Sequence, residues 1–482
     1  MTTRNTKRLS ASAWLVLLVA LVPNKASADR RSQPNIVFIM ASDLGWQDVG
    51  FMGADPTETP MIDELANQGM VFSSAYAGGP FNSATEACFL SGTYTPRHKI
   101  IDNSSAADGK TDYMRLLVPA VEHRHVKIIQ AASRQLEIER SLSRKVVCIP
   151  DVLNEAGYQT ARIGPWFRGR KTLGFDHSSI DGENGLKGTS AMKPVVVEKM
   201  TDLAIRFMKE NRRSPFFLYI SHPWVHQPKR MNYELVKAND TKLGFGQVKK
   251  TSTYIPYYPG TIDQVDESVG RILEAIDALG ISESTLFIFT SSCGGYREVS
   301  KLAPLRGEKG SLFEAGVRVP MCMRWPDVIE ANSKCDVPIT SVDFLPTFAS
   351  LARGQVPRRQ PVDGINISPL MRGEEIPERS IFWHYPLYAQ GTGLEIDLPD
   401  GGTYSWCGFP SSSVLRGHWK LIEFHEDNSV MLFNLRDDPG ETQDLSTVYP
   451  DRTEELRKQL DDWQATTKAP IPTVKNPRCV LP

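Results

Sequence analysis

The sequence predicts an α/β protein, with a large, mostly parallel sheet between helices and a smaller antiparallel sheet subdomain near the C-terminus. Three observations point there. Apolar runs at Asn35–Met40 (NIVFIM), Phe216–Ile220 (FFLYI) and Leu286–Thr290 (LFIFT) show no polar alternation, the pattern of strands covered on both faces. Between such runs, Ile262, Val265, Val269, Ile272, Leu273, Ile276 and Leu279 recur mostly at three- and four-residue steps, an amphipathic helix that Gly280 stops. Beyond about Pro369 the texture changes to PLYAQGTG, PDGGTYSW, SVLRGHWKLIEF and SVMLFNLRDD, which read as antiparallel strands, then a closing helix from about Arg452 to Trp463. The expected division is therefore an α/β domain over residues 34–370 and a C-terminal subdomain over residues 371–482. In sheets of this kind ligands bind where strands run out into loops.

The chain has 482 residues, 41% hydrophobic and 23% charged, so it can bury a large core. Its formal charge of −1, with mixed signs along the chain, leaves no electrostatic footprint for nucleic acid. Arg4, Lys7 and Arg8 precede an apolar run from Ala13 to Val22 and then Ala26-Ser27-Ala28. That order predicts a signal peptide over residues 1–28, a mature chain beginning near Asp29, and an exported protein, periplasmic or secreted. The run is too short for a stable membrane span, and no later stretch reads as one. Seven scattered cysteines (Cys88, Cys148, Cys293, Cys322, Cys335, Cys407 and Cys479) contain no C-x-x-C pair; one or two disulfides are expected in an exported chain, with partners that spacing does not fix. An insertion over about residues 103–145, containing VEHRHVKIIQAASRQLEIERSLSRK, reads as a surface helix with solvated charges, or else as a basic lid over a ligand.

Between Pro80 and Tyr94 the chain reads PFNSATEACFLSGTY. In family-like order stand PNIVFIMASDLGWQDVG, IPDVLNEAGYQTARIGPW, PFFLYISHPWVHQP, FIFTSSCGG, PLRGEKGSLFEAGVRVP and LFNLRDDPGETQDL. Together these segments resemble the sulfatases of the alkaline phosphatase superfamily, particularly the arylsulfatase and N-acetylgalactosamine-6-sulfatase type, across nearly the whole mature chain. The resemblance implies a hydrolase of sulfuric esters, acting on sulfated carbohydrate or aryl sulfates. It also implies a formylglycine nucleophile, made from cysteine or serine, and a calcium ion held by aspartates and an amide.

Counting back from Gly92 puts Asn82 at the nucleophile position, Ala84 on the motif's proline, Thr85 on its serine and Glu86 on its arginine. Asparagine carries no thiol or hydroxyl, so no formylglycine can form at Asn82. The metal loop's aspartate pair becomes Ser42-Asp43, and the later aspartate and asparagine become Ser292-Cys293. One carboxylate and a thiol make a weak or absent calcium site, because calcium wants six or more hard oxygens. Pro165 and Phe167 replace the lysine and histidine that would neutralise sulfate, leaving His226 and Lys309, with His222 nearby, as candidate binding and catalytic residues.

Taken alone, the residues leave alternatives open. Asn82 and Ser83 suit a helix N-cap, and Ser83-Ala84-Thr85-Glu86 fits an S-x-x-E capping box. Asp43 suits either a loop cap or residual cation binding, and Lys309 either an anion contact or solvent. Cys293 reads as a small buried side chain. The expected function is a catalytically impaired pseudo-sulfatase that binds sulfated or otherwise anionic carbohydrate. The alternatives are an active sulfatase, or a related hydrolase whose nucleophile is rerouted to Ser83 or Thr85 with His226 or Glu86 as base.

Overall fold

This computed structural model describes residues 33–54, 58–101, 113–118, 120–122, 125–127, 136, 138–139, 141–164, 173–179, 194–222, 257–356, 358–397 and 403–480. The expected signal peptide, His226, Pro165 and Phe167 lie outside the described residues. No helix among the described residues is long and apolar enough to cross a membrane.

The main sheet has eight strands: β1 (Asn35–Ala41), β2 (Met70–Phe72), β3 (Gln159–Ile163), β4 (His177–Ser179), β5 (Phe216–His222), β6 (Thr285–Ser291), β7 (Met321–Arg324) and β8 (Ser333–Cys335). Their order is β8-β2-β7-β6-β1-β5-β3-β4. Only β7 runs antiparallel to its neighbours β6 and β2. The three apolar runs of the sequence are β1, β5 and β6, side by side at the centre, and every residue of each is buried.

Alternation along β1 splits the core in two. Val37 and Ile39 face one apolar cluster with helices α1 (Pro60–Asn67), α4 (Pro194–Asn211) and α5 (Tyr257–Ala278), through Ile62, Met200, Phe207, Ile262 and Val269. Ile36 and Phe38 face the other, with α2 (Asn82–Ser91), α3 (Ile149–Glu155) and α6 (Phe344–Leu351). There Phe38 and Phe89 bring their ring centroids within 4.3 Å, which fixes α2 against the centre of the sheet. Gly280, at φ 67°, ends the α5 segment in the left-handed conformation that glycine tolerates, as its position in the sequence predicts.

The C-terminal region forms a four-stranded antiparallel sheet from β9 (Ser380–Tyr385), β12 (Ser411–Arg416), β13 (Trp419–Phe424) and β14 (Ser429–Asn434). A separate two-stranded ribbon pairs β10 (Ala389–Asp397) with β11 (Thr403–Gly408). The closing helix α7 (Pro450–Thr467) packs Leu456, Leu460 and Trp463 on this sheet, and Trp463 stacks on Phe382 at 4.9 Å.

Two expectations are corrected. Within the insertion, Ala120–Glu122 pairs antiparallel with His125–Lys127, so this stretch is a short hairpin and not a helix; Val121 and Val126 favour the extended backbone. No disulfide joins any of the seven cysteines, all of which lie among the described residues.

Candidate active site

Four loops converge beyond the carboxyl ends of the central strands. Asp43 follows β1 and takes a left-handed backbone, φ 64°, a conformation open to aspartate at modest strain. Ser292 and Cys293 follow β6, Asn82 opens α2, and Lys309 comes from the loop before β7. Close approach of these loops depends on glycine. A Cβ at Gly294 would collide with the Ala315 carbonyl, and one at Gly295 with Ser300. The Gly295 carbonyl in turn accepts the Lys309 amide at 2.9 Å.

The side chains form one connected cluster. Lys309 Nζ lies 2.6 Å from Asp43 Oδ1, with both groups buried. Cys293 Sγ is 3.0 Å from Asp43 Oδ1 and 3.0 Å from Asn82 Oδ1, so one thiol proton is shared between two acceptors. Ser292 Oγ donates to Asn82 Oδ1 at 2.6 Å and accepts from the Asp43 amide at 3.3 Å. Ser291, which sequence reasoning did not single out, ties the loops together: its hydroxyl meets the Ala41 and Cys293 carbonyls and accepts the Leu44 amide. Tyr296, also missed, places its ring 4.9 Å from Lys309 Nζ. Its place just after Cys293-Gly294-Gly295 was the available signal.

The electrostatics follow from burial and pairing. Burial raises the Cys293 pKa well above the thiol range and the adjacent Asp43 charge raises it further, so the group is a neutral thiol. For Lys309 burial works against the charge, yet the Asp43 carboxylate 2.6 Å away holds the ammonium above the ordinary lysine range. The cluster therefore carries one negative and one positive charge that cancel.

Several sequence expectations change here. Asn82 is the first residue of α2 and Phe81 its N-cap, with no side-chain cap bond, so neither Asn82 nor Ser83 caps the helix. The reason is that the Asn82 amide oxygen is taken by Ser292 and Cys293 across the pocket. Nor does Glu86 close a capping box. Its Oε1 accepts from Tyr219 Oη at 2.5 Å on β5. Burial raises its carboxyl above the usual range, against the opposing pull of buried Arg162 on β3. Thr85 Oγ1 donates to the Gly79 carbonyl at 3.0 Å and accepts the Gly79 amide at 3.3 Å. Lys309 is not solvated. Cys293 is buried, as expected.

Ser42 joins the site through its backbone, its amide donating to the His222 carbonyl at 3.3 Å. His222 ends β5 fully buried, neither ring nitrogen meets a hydrogen-bond partner among the described residues, and burial pushes its pKa down to about 4. Its ring is thus neutral at physiological pH.

The residues present do not fit a calcium ion. Asp43 is the one carboxylate of the cluster, and its Oδ1 already faces an ammonium and a thiol. The Asn82 oxygen faces a hydroxyl and the same thiol. Calcium needs several charged hard oxygens, whereas this cluster offers one carboxylate beside an ammonium and a thiol, which is the wrong donor for it. Among the described residues no group of three or more histidine, cysteine, aspartate or glutamate side chains could hold a metal.

Comparison with known proteins agrees with this architecture. Residues 34–354 match the family model described as Sulfatase. A sulfatase of Formosa agariphila is 25% identical over 97% of this chain and 96% of its own. The human N-acetylgalactosamine-6-sulfatase is 24% identical over 91% of this chain and 86% of its own. Among solved structures, Ps i-CgsB in complex with k-i-k-neocarrahexaose is similar with a TM-score of 0.69 at 24% identity, covering 91% of this chain and 94% of that one. The phosphonate monoester hydrolase of Agrobacterium radiobacter is similar at 0.61 and 17% identity, over 90% and 96%. The chain belongs to the sulfatase family, on an α/β fold of the alkaline phosphatase type.

Proposed function

We propose that this sulfatase-family protein binds a sulfated or otherwise anionic carbohydrate and does not hydrolyse it. The observation that carries the reading is Asn82. At the position of the attacking group stands an amide whose oxygen accepts bonds from Ser292 and Cys293. Covalent sulfate transfer needs a nucleophilic atom and a means of activating it, and neither is supplied by a hydrogen-bonded carboxamide. The electrostatics support the same reading. Lys309, the cation available to an ester in the described pocket, is already balanced by Asp43, so little surplus positive charge remains to stabilise a charged transition state. Ligand contact on this reading falls to Lys309, His226 and the basic insertion. The carbohydrate class rests on relatives whose names or complexes record sulfated sugars, the N-acetylgalactosamine-6-sulfatases and a structure holding D-glucosamine-2-N,6-O-disulfate. Residues 1–28 are proposed to export the protein to a periplasmic or extracellular site.

The alternative, hydrolysis through Ser83 or Thr85, is weakened by Thr85, whose hydroxyl is committed to Gly79. Its base Glu86 is committed to Tyr219. Titration calorimetry with a sulfated oligosaccharide tests the proposal. Saturable binding is expected, with every ester intact afterwards and affinity lowered on the order of tenfold by Lys309→Ala. Turnover that disappears in Ser83→Ala, or no binding at all, would refute it.

A further inference from the structure

We infer that Cys293 and Lys309 are a site of oxidative cross-linking, at which hydrogen peroxide joins the thiol sulfur to the lysine nitrogen beside Asp43. The inference concerns a modification of the chain itself and stands whether or not a sulfated sugar binds. Three observations carry it. Cys293 Sγ and Lys309 Nζ meet the same oxygen, Asp43 Oδ1, at 3.0 Å and 2.6 Å, so sulfur and nitrogen are held as near neighbours. The amine is fixed from both ends, since the Gly295 carbonyl accepts the Lys309 amide at 2.9 Å and the Tyr296 ring lies 4.9 Å from Nζ. Cys293 is fully buried, while Lys309 and Asn82 keep 7% and 5% of their surface, so the cluster touches solvent through them and the route to the sulfur suits a molecule near the size of water. Hydrogen peroxide fits that description.

The thiol is neutral in the folded protein, so its oxidation needs a base, and the Asp43 carboxylate to which it already donates is that base. Sulfur attacks one peroxide oxygen, the O–O bond breaks, and the thiol proton passes through Asp43 to the departing hydroxide, leaving a sulfenic acid and a water. Lys309 then gives one proton to Asp43, its nitrogen attacks the sulfur, and the S–O bond breaks as the hydroxide leaves with a second nitrogen proton as water. The sulfur loses an electron pair in all, and the peroxide is reduced to water. The product is an S–N bond next to a protonated Asp43, so two buried opposite charges are discharged together. Reduction by an added dithiol returns thiol and amine. Closing the bond removes the ammonium that an anionic ligand would meet, which makes the cross-link an off switch for the pocket.

The test exposes the full folded chain to hydrogen peroxide, then unfolds it, blocks free thiols with iodoacetamide and maps chymotryptic peptides by mass spectrometry. Wild type is expected to yield a joined pair carrying Cys293 and Lys309, lighter by two hydrogens than the separate peptides and split by dithiothreitol. Asp43→Asn is expected to form it on the order of a hundredfold more slowly, because the base is gone. Lys309→Arg keeps a cation against Asp43 and is expected to give no link, its Cys293 going on to sulfinic acid; this variant serves if Asp43→Asn does not fold. A wild type whose Cys293 stays a free thiol, or reaches sulfinic acid with Lys309 unmodified, would overturn the inference. So would a pair that forms equally well when peroxide is added to the unfolded chain. A pair carrying one further oxygen would overturn the S–N bond.

Discussion

Two buried ionic clusters of this molecule invite comparison. One is the pocket, where Asp43 meets Lys309 with Cys293, Asn82 and Ser292. The other lies between the main sheet and the C-terminal sheet. There Lys420 Nζ on β13 meets Glu314 Oε1 at 2.8 Å and Glu441 Oε1 at 3.0 Å, all three fully buried. Glu314 Oε2 also takes bonds from Tyr76 Oη at 3.0 Å and Arg318 at 3.3 Å, and Glu441 Oε2 accepts the Glu314 amide at 2.7 Å. The junction cluster is what a fold needs: each carboxylate is met by cations and donors, and it locks the loop that carries Lys309 to the C-terminal sheet. In a working sulfate site, charge has to be left over for the ligand. The pocket instead resembles the junction in that its charges cancel, Asp43 against Lys309. On the proposed reading, it serves as a structural element at the place where the fold would put a catalytic one.

Breaking the junction should have the largest effect. Lys420→Met removes the ammonium shared by two buried carboxylates and should cost about 3–5 kcal/mol of stability in urea unfolding. Adding Glu441→Gln should return part of that loss, since burial raises the Glu441 pKa to about 7 and the group is easily made neutral. A Lys420→Met protein as stable as wild type would remove the junction's side of the contrast. In the pocket, Asn82→Ala should cost less, about 1–3 kcal/mol, because it leaves the donors Ser292 and Cys293 short of an acceptor. Equal or greater stability in that variant would mean the amide is not part of a satisfied network.

A third effect is on pH dependence, absent at neutral pH, and belongs to the C-terminal sheet. His384 Nδ1 meets Ser412 Oγ at 2.8 Å and its Nε2 donates to the Pro470 carbonyl at 3.3 Å; Ser412 also bonds His425, which faces Glu423 at 3.9 Å. Burial, helped by His425, lowers the His384 pKa to about 3. A depressed base contributes stability that is fully present above its ordinary pKa of about 6.5 and is lost as pH falls below it. The stability of wild type should therefore fall more steeply than that of His384→Gln between about pH 6.5 and 4, by at most about 1.4 kcal/mol per pH unit. Parallel curves in chemical denaturation at stepped pH would contradict this.

How far the sequence could be read follows from the range of the interactions. Runs such as Asn35–Met40 and Leu286–Thr290 carry their own strand signal, because burial on both faces writes itself into consecutive residues. The convergence of Asp43, Asn82, Ser292, Cys293 and Lys309 was legible through motif order. The bonds among them were not. Asn82 and Glu86 fit a helix start locally, yet Asn82 turns to Ser292 and Glu86 to Tyr219, partners brought up by other strands. Lys309 read as a contact for anion or solvent because nothing near it in sequence reveals that the Asp43 carboxylate lies against it. The hairpin at Ala120–Glu122 escaped notice because its charged residues dominate the local pattern.

The central claim, that this pocket balances its charge from within and performs no sulfate transfer, is tested most directly by measuring inorganic sulfate released from an aryl sulfate and a sulfated oligosaccharide. Wild type and Asn82→Ala should be compared with and without added calcium. The account predicts release indistinguishable from buffer for both substrates in every condition. Catalytic release by wild type that Asn82→Ala abolishes would contradict it.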